Sequence, residues 1–456
     1  MFGVDEKKIK DFVHGYISIP KILFENFIDT PHFQRLRRIE QTSMRSLYPS
    51  ARHDRFIHSL GTFHLGNRAI EYIKKNSDGI VLDESVYKSF LIACLLHDCG
   101  HAPFSHTFEN YFGSNGDFCK RLKEITPGES LFHQDLDDST PASPHEYLSA
   151  LIVIRIYGQK IRELQADPVL VARMIIGATF TDDKPENALI ELLNGRAIDV
   201  DKLDYVVRDV SIAGIKHIQV DIDRLLASIL IKHNGSCYCL CFKKSALSAV
   251  NSVVEVKNFL KKWVFSHHIV QYEQEMLNQC VRELAEILYP SESVDISLSQ
   301  LFDLNTYLQV ETLPPNKIPM LCDDDLVHLM KIKNVPHVSE WMYRQYSMEP
   351  LWKSYYEFSR LLTPNVSISL SRIRRCLNEI LGDVNNYIII EQNDQHQVIE
   401  YHSLFVLMSE NDICAYEDLF DLAENKPKKF FYLFIKKNLD VKTKQTIINK
   451  LKEIIH

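Results

Sequence analysis

The stretch that decides the reading is residues 91–108, LIACLLHDCGHAPFSHTF. An apolar helical run leads into His97-Asp98, Gly100 then breaks it, and Pro103 suits the first turn of a new helix. A carboxylate at the buried end of such a run is costly unless it is paired or bound to a cation. Imidazole beside carboxylate suits a first-row divalent metal such as Mn, Fe, Zn or Ni. One His-Asp pair does not fill a coordination sphere, so further ligands must come from elsewhere in the chain.

Working outward, two apolar-flanked candidates stand out. His58 lies in RFIHSLG (55–61), where another helix is expected to begin. Asp201 lies in IDVDKLDYVVRD (198–209), followed by Lys202, Tyr205 and Asp209. Alone, a His or Asp near a helix end is usually structural. The order H…HD…D is what sets these residues apart.

Helical periodicity dominates the rest. Apolar residues recur at three and four spacing through residues 22–39, 60–73, 86–96, 146–157, 168–176 and 253–288. Residues 226–242 read as a hairpin about Asn234-Gly235, and 386–391 and 403–408 read as strands. Residues 113–138 are polar and turn-rich and read as a loop, and 314–319 form a second break. Loose boundaries fall near 291–305 and near Asn365.

The 456 residues are 45% hydrophobic and 25% charged, enough to bury a large core. A net charge of -8 argues against nucleic acid as the principal partner. Residues 34–55 run the other way, with six arginines (35, 37, 38, 45, 52, 55) against Glu40 and Asp54, which points to an anionic ligand or a subunit contact. No stretch reaches ~18 uninterrupted apolar residues and the start has no apolar leader core, so the expectation is no membrane and a cytoplasmic protein. The ten cysteines include no C-x-x-C pair, and Cys237, Cys239 and Cys241 alternate as small buried residues on one strand face.

Six ordered stretches carry a resemblance: VHGYI (13–17), DTPHFQRLRRIEQ (29–41), HDRFIHSLG (53–61), LLHDCGHAPFSHTFE (95–109), PHE (144–146) and IDVDKLDYVVRD (198–209). Together they resemble the HD phosphohydrolase superfamily, and their wording is similar to its deoxynucleoside triphosphate triphosphohydrolase branch. A weaker match continues through Arg224, Asn258 and LWK (351–353).

The resemblance implies His58, His97, Asp98 and Asp201 as metal ligands, with His101, His106, Glu109 and His145 in the catalytic pocket. It implies one divalent metal per site (Mn, Fe, Zn, Ni or Mg) and a second Mg on the substrate triphosphate. Arg55, Lys202, Tyr205 and Asp209 match residues that hold triphosphate and sugar, Gln41 one that lies against deoxyribose, and Tyr272 a sugar-facing tyrosine reached only by deleting two residues. Asp29, Gln34 and Arg37 match positions that recognise guanine in a regulatory site, and Arg224, Asn258 and Lys353 a neighbouring nucleotide position. Departures are Glu109 for Asp, Ser266 for a phosphate-binding Arg, and Glu349 for a regulatory Arg.

The implied fold is mostly α: an HD-domain helical core over 1–290 with a small β-hairpin, a helical extension over 291–365, and an α+β C-terminal region over 366–456 serving oligomerisation. The implied reaction is manganese- or magnesium-supported hydrolysis of a dNTP to deoxynucleoside and triphosphate by a homo-oligomer, dimer or tetramer, with GTP or dGTP as allosteric activator. Two alternatives stay open: an HD nucleotidase or phosphodiesterase acting on monophosphates or signalling nucleotides, and a nucleotide-sensing or nucleic-acid-binding assembly without turnover.

Overall fold

The computed structural model describes residues 2–455 except 43, 137–139, 141, 197, 217–218, 310–317, 363–368, 395–403, 411 and 420–427. The fold is mostly α. At its centre the helix Glu84–Leu96 is buried from Val86 onward and packs between Arg55–Asn76 and Pro168–Ile176. Its apolar content on every side is what a helix needs to be buried on every side.

Arg55–Asn76 begins where Asp54 accepts the Ile57 amide at 2.9 Å, an N-cap that sets His58 one turn inside the helix. Val200–Ile212 crosses it and is capped by Asp199, which accepts the Lys202 amide at 2.7 Å. Gly61 makes the crossing close: a Cβ there would meet Asp204 Oδ1 at 1.9 Å and an Arg208 nitrogen at 2.6 Å. Pro144–Ile152, opened by Pro144 and a Ser143–Glu146 capping box, brings His145 to the same end of the core.

The helices expected at 60–73, 86–96 and 168–176 form, and 146–157 continues Pro144–Ile152 through a wider π-type turn, Val153–Tyr157. Residues 22–39 instead break into four short turns, because Pro31 cannot continue a helix and holds Thr30 extended. Residues 253–288 split at Ser266-His267: His267 is extended at ψ 136° and its ring caps the Ile269 amide of a new helix, His268–Leu288.

The loop expected at 113–138 is largely helix, Asn115–Ile125 and Ser130–Asp135. Ser114 and Asp117 cap the first, and Phe118, Cys119 and Leu122 bury one face of it, so the polar residues are simply its outer side. Pro103 precedes two short 3-10 turns, Ser105–Thr107 and Glu109–Phe112, rather than an α-helix.

The hairpin forms as Ile229–His233 and Tyr238–Lys243, with Gly235 at φ +98° in the turn. Its second strand pairs in parallel with Phe405–Ser409, so one four-stranded sheet joins the helical core to the C-terminal region. A second sheet sets Lys428–Lys436 between Met348–Pro350 and Tyr387–Asp394. Cys239 and Cys241 are buried on their strand; Cys237 lies before it and is exposed. The expected breaks at 314–317 and near residue 365 lie outside the described residues. No described helix is long and apolar enough to cross a membrane.

Gly61→Ala is expected to cost about 1–3 kcal/mol by overpacking against Asp204. Urea unfolding would show it as a lowered midpoint with an unchanged slope, and an unshifted midpoint would mean the two helices can separate without cost.

Candidate metal centre and adjoining pocket

Two helices and one turn deliver the four predicted ligands to one place: His58 on Arg55–Asn76, Asp201 on Val200–Ile212, and His97 and Asp98 on the turn after Glu84–Leu96. His58 Nε2 lies 2.9 Å from Asp201 Oδ1 and 3.6 Å from Asp98 Oδ2. His97 Nε2 lies 3.3 Å from Asp98 Oδ1 and 3.7 Å from Asp201 Oδ1. Donor atoms of His58, His97 and Asp201 all fall within 4.8 Å of one another. His58 Nε2 and His97 Nε2 are buried and make no well-aligned hydrogen bond, although carboxylate oxygens close in on both. Two imidazoles and two carboxylates converging on one point are what a divalent cation requires, so these residues fit a metal.

The charges agree. Burial opposes the Asp98 carboxylate, but Arg55, 2.9 Å away, with His97 and His101, holds it well below the usual range. Burial opposes Asp201 too, and His58 and His97 overcome it. Against burial, Asp201 and Asp204 push the His58 imidazole up to about 10. Buried His58, His97 and Asp98 and half-buried Asp201 are mutually dependent.

Sequence reasoning missed how His58 is oriented. Asp204 Oδ2 takes its Nδ1 at 2.8 Å, while Arg208 grips Asp204 through Nε and Nη2 at 2.9 and 2.8 Å. His14 reaches Asp204 at 2.6 Å, and Asp11 pairs with Arg208 at 2.9 Å. The ring of His97 is fixed by its Nδ1 against the Cys94 carbonyl at 3.0 Å. The i, i+4 spacing of Asp204 and Arg208 was the available signal.

Beside the ligands lies a second cluster, His101, His106, Glu109 and His145. Glu109 bridges two histidines, Oε1 to His106 Nδ1 at 3.0 Å and Oε2 to His145 Nδ1 at 2.5 Å. His145 stacks on His101 at 3.7 Å between centroids and 13° between planes. His101 also approaches Asp98 at 3.2 Å, which links the two clusters. Burial opposes charge on His145, yet Glu109 raises its pKa; burial, then Arg55 and His145, drive that of His101 well down. For His106 desolvation by the cavity wall wins over Glu109 and lowers it, although its side chain is 61% exposed to the opening.

That opening is a cavity of about 340 Å³ whose walls include Gln41, Arg55, His106, Tyr205 and Asp209. Among the described residues, both carboxylate oxygens of Asp209 and the Oε1 of Gln41 are buried there without a well-aligned hydrogen-bond donor. His53 approaches Asp209 at 3.2 Å, and Thr42, Gln271 and Gln274 also line the wall; none was singled out from sequence.

Other predicted residues lie elsewhere. Tyr272 is not brought to the cavity: its hydroxyl donates to Glu340 at 2.5 Å and its ring packs on Tyr346 and Phe434. Lys202 is turned to Asp199 at 2.5 Å and the Gly195 carbonyl at 2.8 Å. Burial and the Lys202 charge lower the ammonium of nearby Lys257 to about 8. Gln34 and Arg37 are joined at 3.0 Å, while Asp29 faces Lys7 at 3.8 Å. Arg224 donates to the Ser245 carbonyl at 2.7 Å, Asn258 sits half-buried on Leu247–Phe259, and Lys353 lines a separate cleft with Lys261, Trp263 and Tyr356. The arginine-rich stretch is mostly paired: Arg45 and Arg52 with Glu40, Arg38 with Asp324, and buried Arg35 with three backbone carbonyls.

Comparison with known proteins agrees with this geometry. The HD domain family matches residues 55–189. A deoxynucleoside triphosphate triphosphohydrolase SAMHD1 homolog of Dictyostelium discoideum is 28% identical over 322 residues, 68% of this chain and 57% of that protein. The deoxynucleoside triphosphate triphosphohydrolase SAMHD1 of Gallus gallus is 26% identical over 66% of this chain and 49% of its own length. The chain thus spans about half the length of these curated relatives. An HD domain-containing protein of Acanthamoeba polyphaga mimivirus is 24% identical over 92% of this chain and 94% of its own. In fold, a phosphohydrolase from Bacteroides thetaiotaomicron aligns over 95% of the chain with a TM-score of 0.66 at 21% identity.

The HD domain match over residues 55–189 and the His58, His97 and Asp201 cluster that could hold a metal make this chain similar to the metal-dependent phosphohydrolases of the HD superfamily. Within that class it resembles the deoxynucleoside triphosphate triphosphohydrolase branch.

Asp204→Asn is expected to weaken metal binding by ~10–100-fold, because the carboxylate that orients His58 loses its charge. Titrating metal-stripped protein with Mn²⁺ or Co²⁺ measures this; wild-type affinity in the variant would remove Asp204 from the site.

Proposed function

We propose that this chain hydrolyses deoxynucleoside triphosphates to deoxynucleoside and inorganic triphosphate. The observation that carries the reading is one cavity combining acceptors without an aligned donor among the described residues, Asp209 and Gln41, with a cation, Arg55, and a histidine, His106, beside the ligand cluster. Buried acceptors without partners call for hydroxyl or amino donors from a ligand, and a sugar supplies them. Arg55, already held by Asp98 and Ser105, presents a fixed guanidinium for phosphate.

His58, His97, Asp98 and Asp201 would hold a divalent metal, which when bound would supply polarisation of a phosphoryl oxygen and activation of water. The chain's own groups do the rest. His106 faces the cavity with Glu109 on its Nδ1 and Arg55 Nη2 3.4 Å from its Nε2; once a bound phosphate takes the Arg55 guanidinium, a protonated Nε2 delivers its proton to the departing sugar oxygen. The charge of a bound triphosphate raises the His106 pKa toward neutrality, which suits that role. His145, protonated more readily but only 8% exposed, is the second candidate and shares the proton through Glu109. His101 keeps the two clusters in register.

The regulatory reading belongs here as well. Gln34 and Arg37 present adjacent polar groups, Asp29 a half-exposed carboxylate, and the relatives' names match the branch in which the sequence resemblance places GTP or dGTP as activator. Arg224, Asn258 and Lys353 complete the proposal, with a homo-oligomer bringing nucleotide sites together. Manganese and a second Mg on the triphosphate are part of the same proposal.

A second reading, an HD nucleotidase acting on monophosphates, is favoured by particular residues. Tyr272 is withdrawn, Lys202 is engaged by Asp199, and Ser266 supplies no guanidinium, so fewer cations are ready for three phosphates.

Product analysis with each dNTP, with Mn²⁺ or Mg²⁺ and with or without GTP or dGTP, tests both. Deoxynucleoside plus triphosphate, lost in Asp98→Ala, is the expected result; orthophosphate from a deoxynucleoside monophosphate would replace the first reading by the second. His106→Ala is expected to lower kcat by ~10²–10⁴-fold, whereas Asp209→Asn raises KM more than it changes kcat.

A further inference from the structure

Asp323 is a buried acid with no task in its own helix. It opens Asp323–Ile332, yet that helix is capped by Cys322 and Asp325, whose Oδ2 accepts the Cys322 amide at 2.9 Å. The Asp323 side chain instead reaches across to two separate segments. Oδ2 accepts the Glu40 amide at 2.9 Å and Oδ1 accepts the Phe104 amide at 2.7 Å. Burial pushes this carboxyl up to about 7 while the two amides pull it back, and only 7% of the residue is exposed. A carboxylate in such a place is expensive and persists where its hydrogen bonds hold something.

What they hold is the two edges of the catalytic cavity. Glu40 precedes Gln41, and Phe104 precedes Ser105 and His106; Gln41, Phe104, Ser105 and His106 all line the cavity. Phe104 and Ser105 both have left-handed backbones, φ +56° and +57°, although neither is glycine. Consecutive residues of that kind stay put only where the surroundings impose the conformation. Ser105 Oγ adds a parallel tie, donating to the Glu40 carbonyl at 2.5 Å while accepting from Arg55 Nε at 2.9 Å. Arg35 works beside it, spanning the Leu321 carbonyl and those of Cys99 and His101.

We infer that Asp323 is a positioning residue for the reaction: by taking one amide from each edge, it sets the distance between Gln41, against the substrate sugar, and His106, the proton donor. It acts through backbone and touches neither substrate nor metal. It lies outside residues 55–189, so the region following the HD domain completes the active-site wall. The inference rests on the role given to His106 above.

The test is Asp323→Asn in the full chain. The carboxamide keeps the shape and one acceptor but turns an N–H toward the second amide. Metal content per subunit, steady-state kinetics and amide exchange by mass spectrometry are read together, with Asp324→Asn, an exposed neighbour paired to Arg38, as control. The expected result is retained metal, a kcat fall of about 10–100-fold with KM within about threefold, and faster exchange confined to residues 39–42 and 102–107, since small misplacements of a reacting group are costly. Asp323→Glu, with both acceptors on a longer arm, is expected between wild type and Asn; it serves also if the Asn variant does not fold. Unchanged kcat with unchanged exchange overturns the inference. So does a lowered melting temperature with wild-type kcat per metal-loaded subunit. If wild type turns over no dNTP, the functional reading fails separately, and exchange alone decides whether Asp323 holds the two edges.

Discussion

Everything around the site depends on keeping ionised groups out of water. His58, Asp98 and Asp204 are essentially buried, and Arg55 and Arg208 nearly so. Each isolated charge of this kind would cost several kcal/mol. The fold keeps them by interlocking: Asp204 is shared among His58, Arg208 and His14, and Asp98 among Arg55, His97 and His101. With the histidines neutral, Asp11, Asp98, Asp201 and Asp204 outnumber Arg55 and Arg208, and among the described residues Nε2 of His58 and of His97 have no aligned partner. A divalent cation is the group that balances this arrangement.

The same network explains the packing. Arg208 must lie beside Asp204 and Asp11, so Val200–Ile212 can cross Arg55–Asn76 only at Gly61. Gly100 does the equivalent on the other side, where a Cβ would meet the His145 carbonyl at 2.5 Å. The glycine after His97-Asp98 thus does more than end a helix: it lets the turn lie against Pro144–Ile152 and stack His101 on His145. The N-terminal hairpin, Glu6–Asp11 with Gly15–Pro20, enters the network through Asp11 and His14. Regions far apart in sequence are held by a few charged contacts in one place.

The central helix was legible because burial on all sides leaves an unbroken apolar run, and the hairpin because Asn-Gly sits at its turn. The His-Asp pair was legible because a carboxylate at the end of such a run requires compensation. The breaks at Pro31 and at Ser266-His267 were missed because apolar periodicity carries across a kink unchanged. The helix Asn115–Ile125 was missed because its wide polar face dilutes a narrow buried stripe. In the site, Asp204, Arg208 and His14 were passed over: charged residues on a polar-looking helix and in a turn carry no local sign of burial.

Sequence alone determined the helical class, the candidate metal-ligand types and the order in which they occur, since residue chemistry and 3.6-residue periodicity are local properties. Tertiary structure decided which residues share a wall. It set Asp209 and Gln41 beside His106, turned Lys202 to Asp199, and withdrew Tyr272 behind Glu340. It also carried Asp323 across 283 and 219 positions of sequence to the two edges of the cavity. Such pairings depend on how helices cross and where backbones touch, and nothing in the spacing of residues along one chain encodes that distance directly.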